Sequence, residues 1–308
     1  MTPTGDGTPR DPLCLITGAS GFVGGRLLRA LADEPVRIRA MVRDREHYDP
    51  PTDIRFEIAE ADVQDEASLA SALRDVDVAY YLIHAMDAKG DTVEQDRRSA
   101  TTFAAAAADA GVRRVVFLGA IGYEEDADVS EHLTSRHEVE QLLAPATPEF
   151  VAVRAAMAVG AASASFRTLV QIVARMPVLA LPSWRTARSQ PIAIDDLVAC
   201  LVAARTVPAG HYDVAGPDTL TLEELTEVIA EILGKPHRAV PFPVSVPAVE
   251  GAVASVVTDG DRGLITALLE SLRDDPVTEA NAIESVFGVT PTPFRTAAAA
   301  AVPEIVED

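Results

Sequence analysis

Lysine is nearly absent from this chain. Of its 26 basic residues only Lys89 and Lys235 are lysines, and all the others are arginines. They are outnumbered by 47 acidic residues, which gives a formal net charge of −21. A chain this acidic is a poor ligand for phosphate backbones or anionic lipid surfaces. We therefore expect no nucleic-acid partner and no membrane partner.

Cysteines and long apolar runs are also scarce. The two cysteines, Cys14 and Cys200, cannot make a disulfide framework, and Cys14 lies in an apolar run typical of a buried, reduced thiol. No stretch reaches the roughly 18 uninterrupted apolar residues of a membrane helix. The first residues also lack the apolar segment of a secretion signal. These absences predict a cytoplasmic protein.

What the sequence does contain is an alternation of short apolar strands and amphipathic helices. Hydrophobic residues make up 48% of the 308 residues and charged residues 24%, which is ordinary for a folded protein. Between residues 13 and 153, strand-like runs that are apolar throughout alternate with helical runs. Such strands are typical of a parallel sheet covered by helices on both faces. The pattern predicts a doubly wound α/β fold.

Past residue 155 this rhythm changes. Ser163–Ala180 is predicted to be helical, and Thr221 with Glu224 has the spacing of a capping box that opens another helix. The remaining chain is interrupted by prolines and is predicted to be helical to its end. Two kinds of unit follow: a dinucleotide-binding domain at 11–160 and 190–215, and a substrate lobe or lid at 161–189 and 216–308.

The strongest motif runs from Thr17 to Gly24 (TGASGFVG), directly after a strand and at the start of a helix. Glycine lets the backbone turn tightly and approach a pyrophosphate, and the helix N-terminus offers free N–H groups. The glycine spacing is G-x-x-G-x-x-G rather than the general G-x-G-x-x-G. The alternative is a structural turn that binds nothing. The strand–turn–helix context favours a Rossmann-type sheet with a smaller C-terminal substrate-binding lobe.

The end of the second strand bears on which nicotinamide cofactor is bound. Arg43 follows Val42 there, with Arg45 close behind. A guanidinium favours the 2′-phosphate of NADP through a charge-assisted contact. Asp44 is the competing observation, because an acidic residue at this point binds the ribose 2′-hydroxyl of NAD. We predict NADP(H).

Three features together resemble a known superfamily: the glycine motif, Asp62-Val63 after the third strand, and the block Arg154–Gly160. They are similar to the short-chain dehydrogenase/reductases. The segments VDVAYYLIHAM, SRHEVEQLL, RSQPIAIDDL and HYDVAGPDTLTLEEL match, in order, the atypical and extended NAD(P)H-binding branch, which is NmrA-like and epimerase-like. The resemblance covers roughly residues 12–235.

This resemblance implies a row of cofactor contacts along the carboxyl ends of the strands. The motif residues would hold the pyrophosphate, Asp62 would accept from the adenine amino group, and Ala155 to Met157 would approach the nicotinamide. The predicted cofactor-binding residues are Thr17, Gly18, Ser20, Gly21, Phe22, Val23, Gly24, Arg43, Asp62, Val63, Leu82, Ile83, His84, Gly119, Ala120, Ala155 and Met157.

The chain departs from the superfamily in its catalytic residues. The usual apparatus is a serine followed by Tyr-x-x-x-Lys, but none of the five tyrosines here has a lysine four residues later. Gly119-Ala120 occupies the serine position, and His132 and Arg136 stand in the frame of the tyrosine and lysine. His132 suits proton transfer, whereas Arg136 keeps only the cation. We predict these two as the catalytic residues.

Two alternatives to His132 remain open at this stage. It could be a solvated residue on a polar helix, with water or a hydroxyl on the substrate supplying the proton. That source is favoured here because no orienting carboxylate for His132 is evident in the sequence. His137 begins H-E-V-E-Q rather than H-E-x-x-H, so no metal site is predicted.

The loss of the tyrosine argues against the sugar epimerases and dehydratases of the superfamily, which must oxidise an alcohol. Delivery of a hydride to a ketone is less demanding, because positioning supplies much of the acceleration. We predict an NADPH-dependent ketoreductase, monomeric or homodimeric, acting on a small-molecule ketone. The mixture of Phe166, Met176 and Trp184 with arginines suits a bulky natural product, such as an aromatic polyketide in antibiotic biosynthesis. The alternatives are a non-catalytic NADP(H)-binding sensor or regulator and a quinone or enone reductase.

Overall fold

A seven-stranded sheet runs through the middle of the protein. The computed structural model describes residues 10–84, 92–123, 129–176, 179–181, 185–236, 239–241 and 276–307. The strands of the large sheet are β1 (Leu13–Ile16), β2 (Arg37–Val42), β3 (Glu57–Glu60), β4 (Val78–Tyr81), β5 (Arg114–Ala120), β6 (Glu149–Ala155) and β11 (Gly210–Val214). They lie in the order β11-β6-β5-β4-β1-β2-β3, and every neighbouring pair is parallel. The predicted doubly wound parallel sheet is confirmed.

Eight α-helices, one 3₁₀ helix (Ala144–Ala146) and six short strands complete the described part of the chain. The helices are α1 (Phe22–Leu31), α2 (Glu66–Ala72), α3 (Thr92–Asp109), α4 (Glu131–Leu143), α5 (Ala164–Arg175), α6 (Ile194–Ala203), α7 (Leu222–Ile232) and α8 (Phe294–Glu307). The short strands are β7 (Ala158–Val159), β8 (Leu179–Leu181), β9 (Arg188–Ser189), β10 (Ile192–Ala193), β12 (Leu220–Thr221) and β13 (Ala239–Pro241). None of the helices in these ranges is long and apolar enough to cross a membrane.

The sheet separates two apolar cores, because successive side chains of a strand point to opposite faces. Cys14 and Ile16 of β1 belong to the core shared with α1 and α6. Leu13 and Leu15 belong to the core on the opposite face, shared with α2, α3 and α4. All four residues are fully buried, so this strand is apolar along its whole length. Cys14 is buried, as expected, and forms no disulfide.

A third apolar cluster joins α5, α7 and α8 beyond the sheet. Phe166 packs edge-on against Phe294, with ring centroids 6.2 Å apart. The predicted capping box of Thr221 and Glu224 is present at the start of α7. The division into a sheet domain and a substrate lobe stays a prediction. Trp184 and residues 242–275 of that predicted lobe lie outside the described residues.

Two predicted helices differ from the structure. The helix predicted over Ser163–Ala180 ends at Arg175, because Pro177 disfavours helical geometry in the residue before it, and β8 follows. The segment 276–293, predicted to be helical, forms no regular helix. Side chains from elsewhere hold it instead: Asp196 accepts from the backbone N–H of Thr292 at 2.6 Å.

Candidate active site

The crevice that positions the site opens between β1 and β4, where the strand order reverses direction. In sheets of this kind, ligands bind at the carboxyl ends of the strands at such a switch point. Thr17 fixes the two strand ends to each other. Its hydroxyl donates to the carbonyl of Tyr80 at 3.0 Å and accepts from the N–H of Leu82 at 2.9 Å.

The glycine motif forms a tight turn at this crevice. Gly18 has φ +64°, a left-handed conformation that favours glycine, and a Cβ on Gly24 would lie 2.1 Å from the Gly18 carbonyl oxygen. Helix α1 then begins with Gly21 as its N-cap, and no side chain caps it. An uncapped helix N-terminus behind a glycine turn suits a pyrophosphate. Ser20, Phe22 and Val23 complete this segment.

At the end of β2 the two candidate cofactor ligands differ in their surroundings. Arg43 is exposed and makes no ion pair or hydrogen bond with the described part of the chain. Asp44 accepts from the backbone N–H groups of Glu46 at 2.8 Å and His47 at 3.3 Å, and its other oxygen lies 2.6 Å from Nδ1 of His47. These hydrogen bonds, led by that of the His47 ring, lower the pKa of Asp44. The carboxylate of Asp44 is therefore engaged within its own turn.

The end of β3 places Asp62 in an exposed turn, with Val63 buried beneath it. One carboxylate oxygen of Asp62 accepts from the backbone N–H of Gln64 at 2.9 Å. The N–H of Asp62 is paired with the hydroxyl of Ser68 at 3.2 Å. These contacts hold Asp62 at the rim of the sheet's carboxyl edge, at the position that the sequence predicts for an adenine ligand.

A chain of three hydrogen-bonded side chains crosses the end of β4. Asp96 on α3 is buried, and its Oδ2 lies 2.8 Å from Nδ1 of His84. The other ring nitrogen of His84 lies 3.2 Å from Nδ1 of His132 on α4. Ser135 donates its hydroxyl to the same Asp96 oxygen at 3.2 Å. Both nitrogens of His84 are therefore engaged, so His84 could line a cofactor pocket only through contact with its ring.

This arrangement corrects one premise drawn from the sequence. His132 was expected to lack an orienting carboxylate, but Asp96 orients it through His84. Burial is the main cause that lowers the pKa of His132 to about 3, followed by His84 and Arg136, and Asp96 acts in the opposite direction. Burial also lowers the pKa of His84, against the hydrogen bond with Asp96. His132 is therefore half-buried and hydrogen-bonded to His84 rather than fully solvated.

Arg136 lies in the lysine position of the superfamily frame and is buried. Its guanidinium donates to the carbonyl of Ile83 at 3.2 Å and to the carbonyl of Leu118, and it packs over the ring of Phe117 at 4.7 Å. Burial lowers the pKa of this guanidinium. Arg136 therefore links the carboxyl ends of β4 and β5. The N–H groups that make these contacts are bound to backbone carbonyls.

On the far side of the crevice, β5 and β6 supply small residues. Gly119 and Ala120 end β5, and Ala120 pairs with Ala155 of β6. Met157 follows β6 and packs against the third apolar cluster, and its carbonyl accepts from the N–H of Ile192 at 3.0 Å. Met157 thus lies between the sheet and the predicted lobe.

A polar cleft lies next to α4, and sequence reasoning missed its buried charge. Glu140 is buried and accepts from Arg154 at 2.5 and 2.9 Å and from Nδ1 of His211 at 2.6 Å. Burial opposes ionisation of Glu140, but these hydrogen bonds outweigh it and hold its pKa below the usual value. Tyr123 stacks on His137 beside it, with centroids 3.7 Å apart.

Asp96 was also missed, although the sequence carries a signal for it. The buried residues of α3 form one helical stripe: Asp96, Ser99, Ala100, Phe103 and Ala107. A carboxylate at the end of an apolar stripe is rarely buried without a partner. That spacing would have predicted an internal hydrogen-bond acceptor near the carboxyl edge of the sheet.

Comparisons with known proteins agree with this geometry. A family model described as NAD(P)H-binding matches residues 18–164. A ceramide reductase of Caulobacter vibrioides is 30% identical over 235 residues, which are 74% of this chain and 73% of that protein. A (4-alkanoyl-5-oxo-2,5-dihydrofuran-3-yl)methyl phosphate reductase of Streptomyces griseus is 31% identical over 237 residues, which are 73% of this chain and 76% of that protein.

Among solved structures, a nucleoside-diphosphate-sugar epimerase of Staphylococcus aureus has the same fold. It superposes with a TM-score of 0.75, at 17% sequence identity, over 93% of this chain and 99% of its own. At this level of identity the likeness concerns the architecture alone. Together, these matches show that the chain is similar to an NAD(P)H-binding family model, to two reductases and to the fold of an epimerase.

Proposed function

Because the chain belongs to the atypical and extended NAD(P)H-binding branch of the short-chain dehydrogenase/reductase superfamily, we propose that it is an NADPH-dependent ketoreductase. One observation carries this proposal. The uncapped glycine turn and the Asp96–His84–His132 chain meet at the carboxyl edge of the sheet. They are joined through Leu82, which hydrogen-bonds Thr17 and precedes His84 by two residues.

The residues present fit a nicotinamide dinucleotide. The backbone of the Gly18–Gly24 turn would hold the pyrophosphate. The turn is tight enough that a Cβ on Gly24 would clash with the Gly18 carbonyl, so no side chain there keeps the ligand away from the backbone. Arg43 would pair with the 2′-phosphate, because its guanidinium is exposed and Asp44 is engaged within its own turn. When bound, the reduced cofactor supplies a hydride. The protein contributes position and exclusion of water.

The substrate is proposed to be a bulky, largely apolar ketone. The two reductase relatives carry names that describe acylated molecules, a ceramide and an alkanoyl furanone. Met157 lies between the sheet and the apolar cluster of α5, α7 and α8, where a lobe would cover such a molecule. An aromatic polyketide is one substrate of this kind, and an acyl-chain ketone is the other.

Reduction of an enone is the second candidate. The compound named for the Streptomyces griseus relative holds a carbon–carbon double bond conjugated to its ring carbonyl. Both reactions need a hydride and a proton, and they differ in whether the proton ends on oxygen or on carbon. The product therefore distinguishes them.

The test is a rapid-mixing measurement of NADPH oxidation with long-chain 3-ketones, polycyclic aromatic ketones, enones and quinones, followed by product identification by mass spectrometry and NMR. We expect an alcohol from at least one ketone. A Gly21→Val variant is the cofactor-site control, and it should lose both binding and turnover because its side chain blocks backbone approach to the pyrophosphate. Tight NADPH binding with no oxidation by any member of the panel would favour the sensor over the enzyme.

A further inference from the structure

Three hydrogen-bonded side chains connect α3, the end of β4 and α4, whereas a single proton donor would require only His132. We propose that Asp96, His84 and His132 form a two-state proton relay, in which His132 touches the substrate and the other two residues position it. This inference rests on the proposed function, since it identifies the source of the proton in the reduction. The relay would take the place of the Tyr-x-x-x-Lys pair, which this sequence lacks.

Geometry fixes the neutral state of the chain. The Asp96 carboxylate accepts, so Nδ1 of His84 carries the hydrogen at 2.8 Å. Nε2 of His84 is then a lone pair and accepts from Nδ1–H of His132 at 3.2 Å. The two rings meet edge to face at 76°, which suits this contact. Nε2 of His132 is left as an acceptor and has no partner among the described residues.

A single added proton switches the whole chain. When Nε2 of His132 gains a proton, Nδ1 of His132 can pass its own hydrogen to Nε2 of His84. His132 is then neutral again but presents an N–H outward. The positive charge rests on His84, where the buried carboxylate of Asp96 stabilises it. Ser135 adds a hydrogen bond that holds that carboxylate in place.

The reductive step returns the relay to its neutral state. As the carbonyl carbon gains its hydride, the N–H bond at Nε2 of His132 breaks and an O–H bond forms on the substrate. The hydrogen on Nε2 of His84 moves back to Nδ1 of His132. The product is an alcohol, and solvent restores the proton at Nε2 of His132 before the next turnover.

The surrounding charges determine how this pair responds to pH. Arg136 of α4 faces both rings and lowers their pKa values, as burial does, whereas Asp96 of α3 raises them. Tyr81 of β4 is buried beside Asp96 and Arg136, and its raised pKa keeps it neutral. Asp96 is thus the one carboxylate near the pair, in the described part of the chain, that favours the protonated state.

The first test reads the ring hydrogens directly in cofactor-free protein. Nitrogen-15 NMR of the histidine rings at pH 7 should show Nδ1–H tautomers for both His84 and His132. In an Asp96→Asn variant both rings should lose this fixed tautomer. The Nε2–H tautomer on both rings of the unaltered protein would overturn the relay, whatever the substrate proves to be.

The second test measures reduction rates with a ketone that the substrate panel shows to be reduced. Asp96→Asn and His132→Gln should each lower kcat by about 10²–10³ at pH 7, which is the usual worth of a positioned proton donor. The double variant should be no slower than His132→Gln, because the residues act as one unit. In the unaltered protein only the protonated fraction of the pair can donate, so kcat should fall tenfold per pH unit above the pKa of the pair, and this slope should vanish in His132→Gln. Asp96→Glu should restore part of the rate.

Controls separate this inference from the proposed function. His137→Gln removes a histidine five residues further along α4, outside the relay, and should keep the rate and the slope. NADPH affinity, measured by fluorescence titration, should stay unchanged in Asp96→Asn. If Asp96→Asn does not fold, His84→Gln serves in its place. A ketone reduced with unchanged rate and slope in these variants would overturn the relay and leave the ketoreductase standing.

Discussion

Arg43 offers the sharpest test of which cofactor this protein takes. We predict that Arg43→Ala weakens NADPH binding and leaves NADH binding nearly unchanged. The side chain is exposed and has no partner in the described part of the chain, so its removal should cost no folding stability. Any loss then reports on the ligand. Asp44 cannot take over easily, because two backbone N–H groups and His47 already engage its carboxylate.

The expected magnitude follows from the chemistry of the contact. A hydrogen bond from a guanidinium to a phosphate contributes roughly 1.5–3 kcal/mol, or about 13- to 160-fold in Kd. Solvent screens an exposed pair, so about tenfold at about 0.1 M salt is the expected value. The loss should shrink further as the salt concentration rises.

The assay is calorimetric titration of both cofactors into both proteins at two salt concentrations. Arg55→Ala is the matched control. Arg55 is also exposed, but it precedes β3 and so lies at the amino ends of the strands, away from the carboxyl ends where Arg43 lies. It removes the same charge and should not change the preference. Equal affinities for NADPH and NADH in the unaltered protein, or an equal loss of both in Arg43→Ala, would refute the reasoning.

Three further predictions concern buried groups. Arg114→Met should lower the free energy of unfolding by about 3 kcal/mol, because it leaves the carbonyls of Ala204 and Val207, just past α6, without this donor and takes one of two arginine partners from Glu149; urea denaturation measures this. Burial raises the pKa of Cys14 to about 11 and of Cys200 to about 12, so neither thiol should react with a disulfide reagent at pH 8 until the protein unfolds. The pKa of His132 is lowered to about 3, so the unfolded chain binds the extra proton below pH 6.5 and stability falls as pH falls. Between pH 7 and pH 5 this costs at most about 2 kcal/mol, and His132→Gln should remove that share; a variant with the same pH dependence as the parent would contradict the lowered pKa of His132.

Much of the fold and of the cofactor side of the site follows from local sequence. Strand β1 ends just before the glycine motif and helix α7 begins at its capping box, as predicted, because an apolar run and a capping pair encode them locally. The glycine turn is set by its own residues, since only glycine fits the φ of Gly18 and the space at Gly24. Arg43 lies at the end of β2 because it is the residue directly after that strand. These features depend on neighbours a few residues away.

Tertiary contacts decided the rest. The residues of the relay are 84, 96 and 132, and they meet only because α3 and α4 pack side by side over β4 and β5. The sequence indicated His132 as a proton donor but left open whether it faced water or a carboxylate. That depends on the rotation of two helices about their axes, which local periodicity does not specify. Segment 276–293 shows the same limit, since hydrogen bonds to Asp196 and Asp213, far away along the chain, hold its two ends. Sequence determines the elements and their local turns, whereas partners, burial and pKa values arise from packing between distant segments.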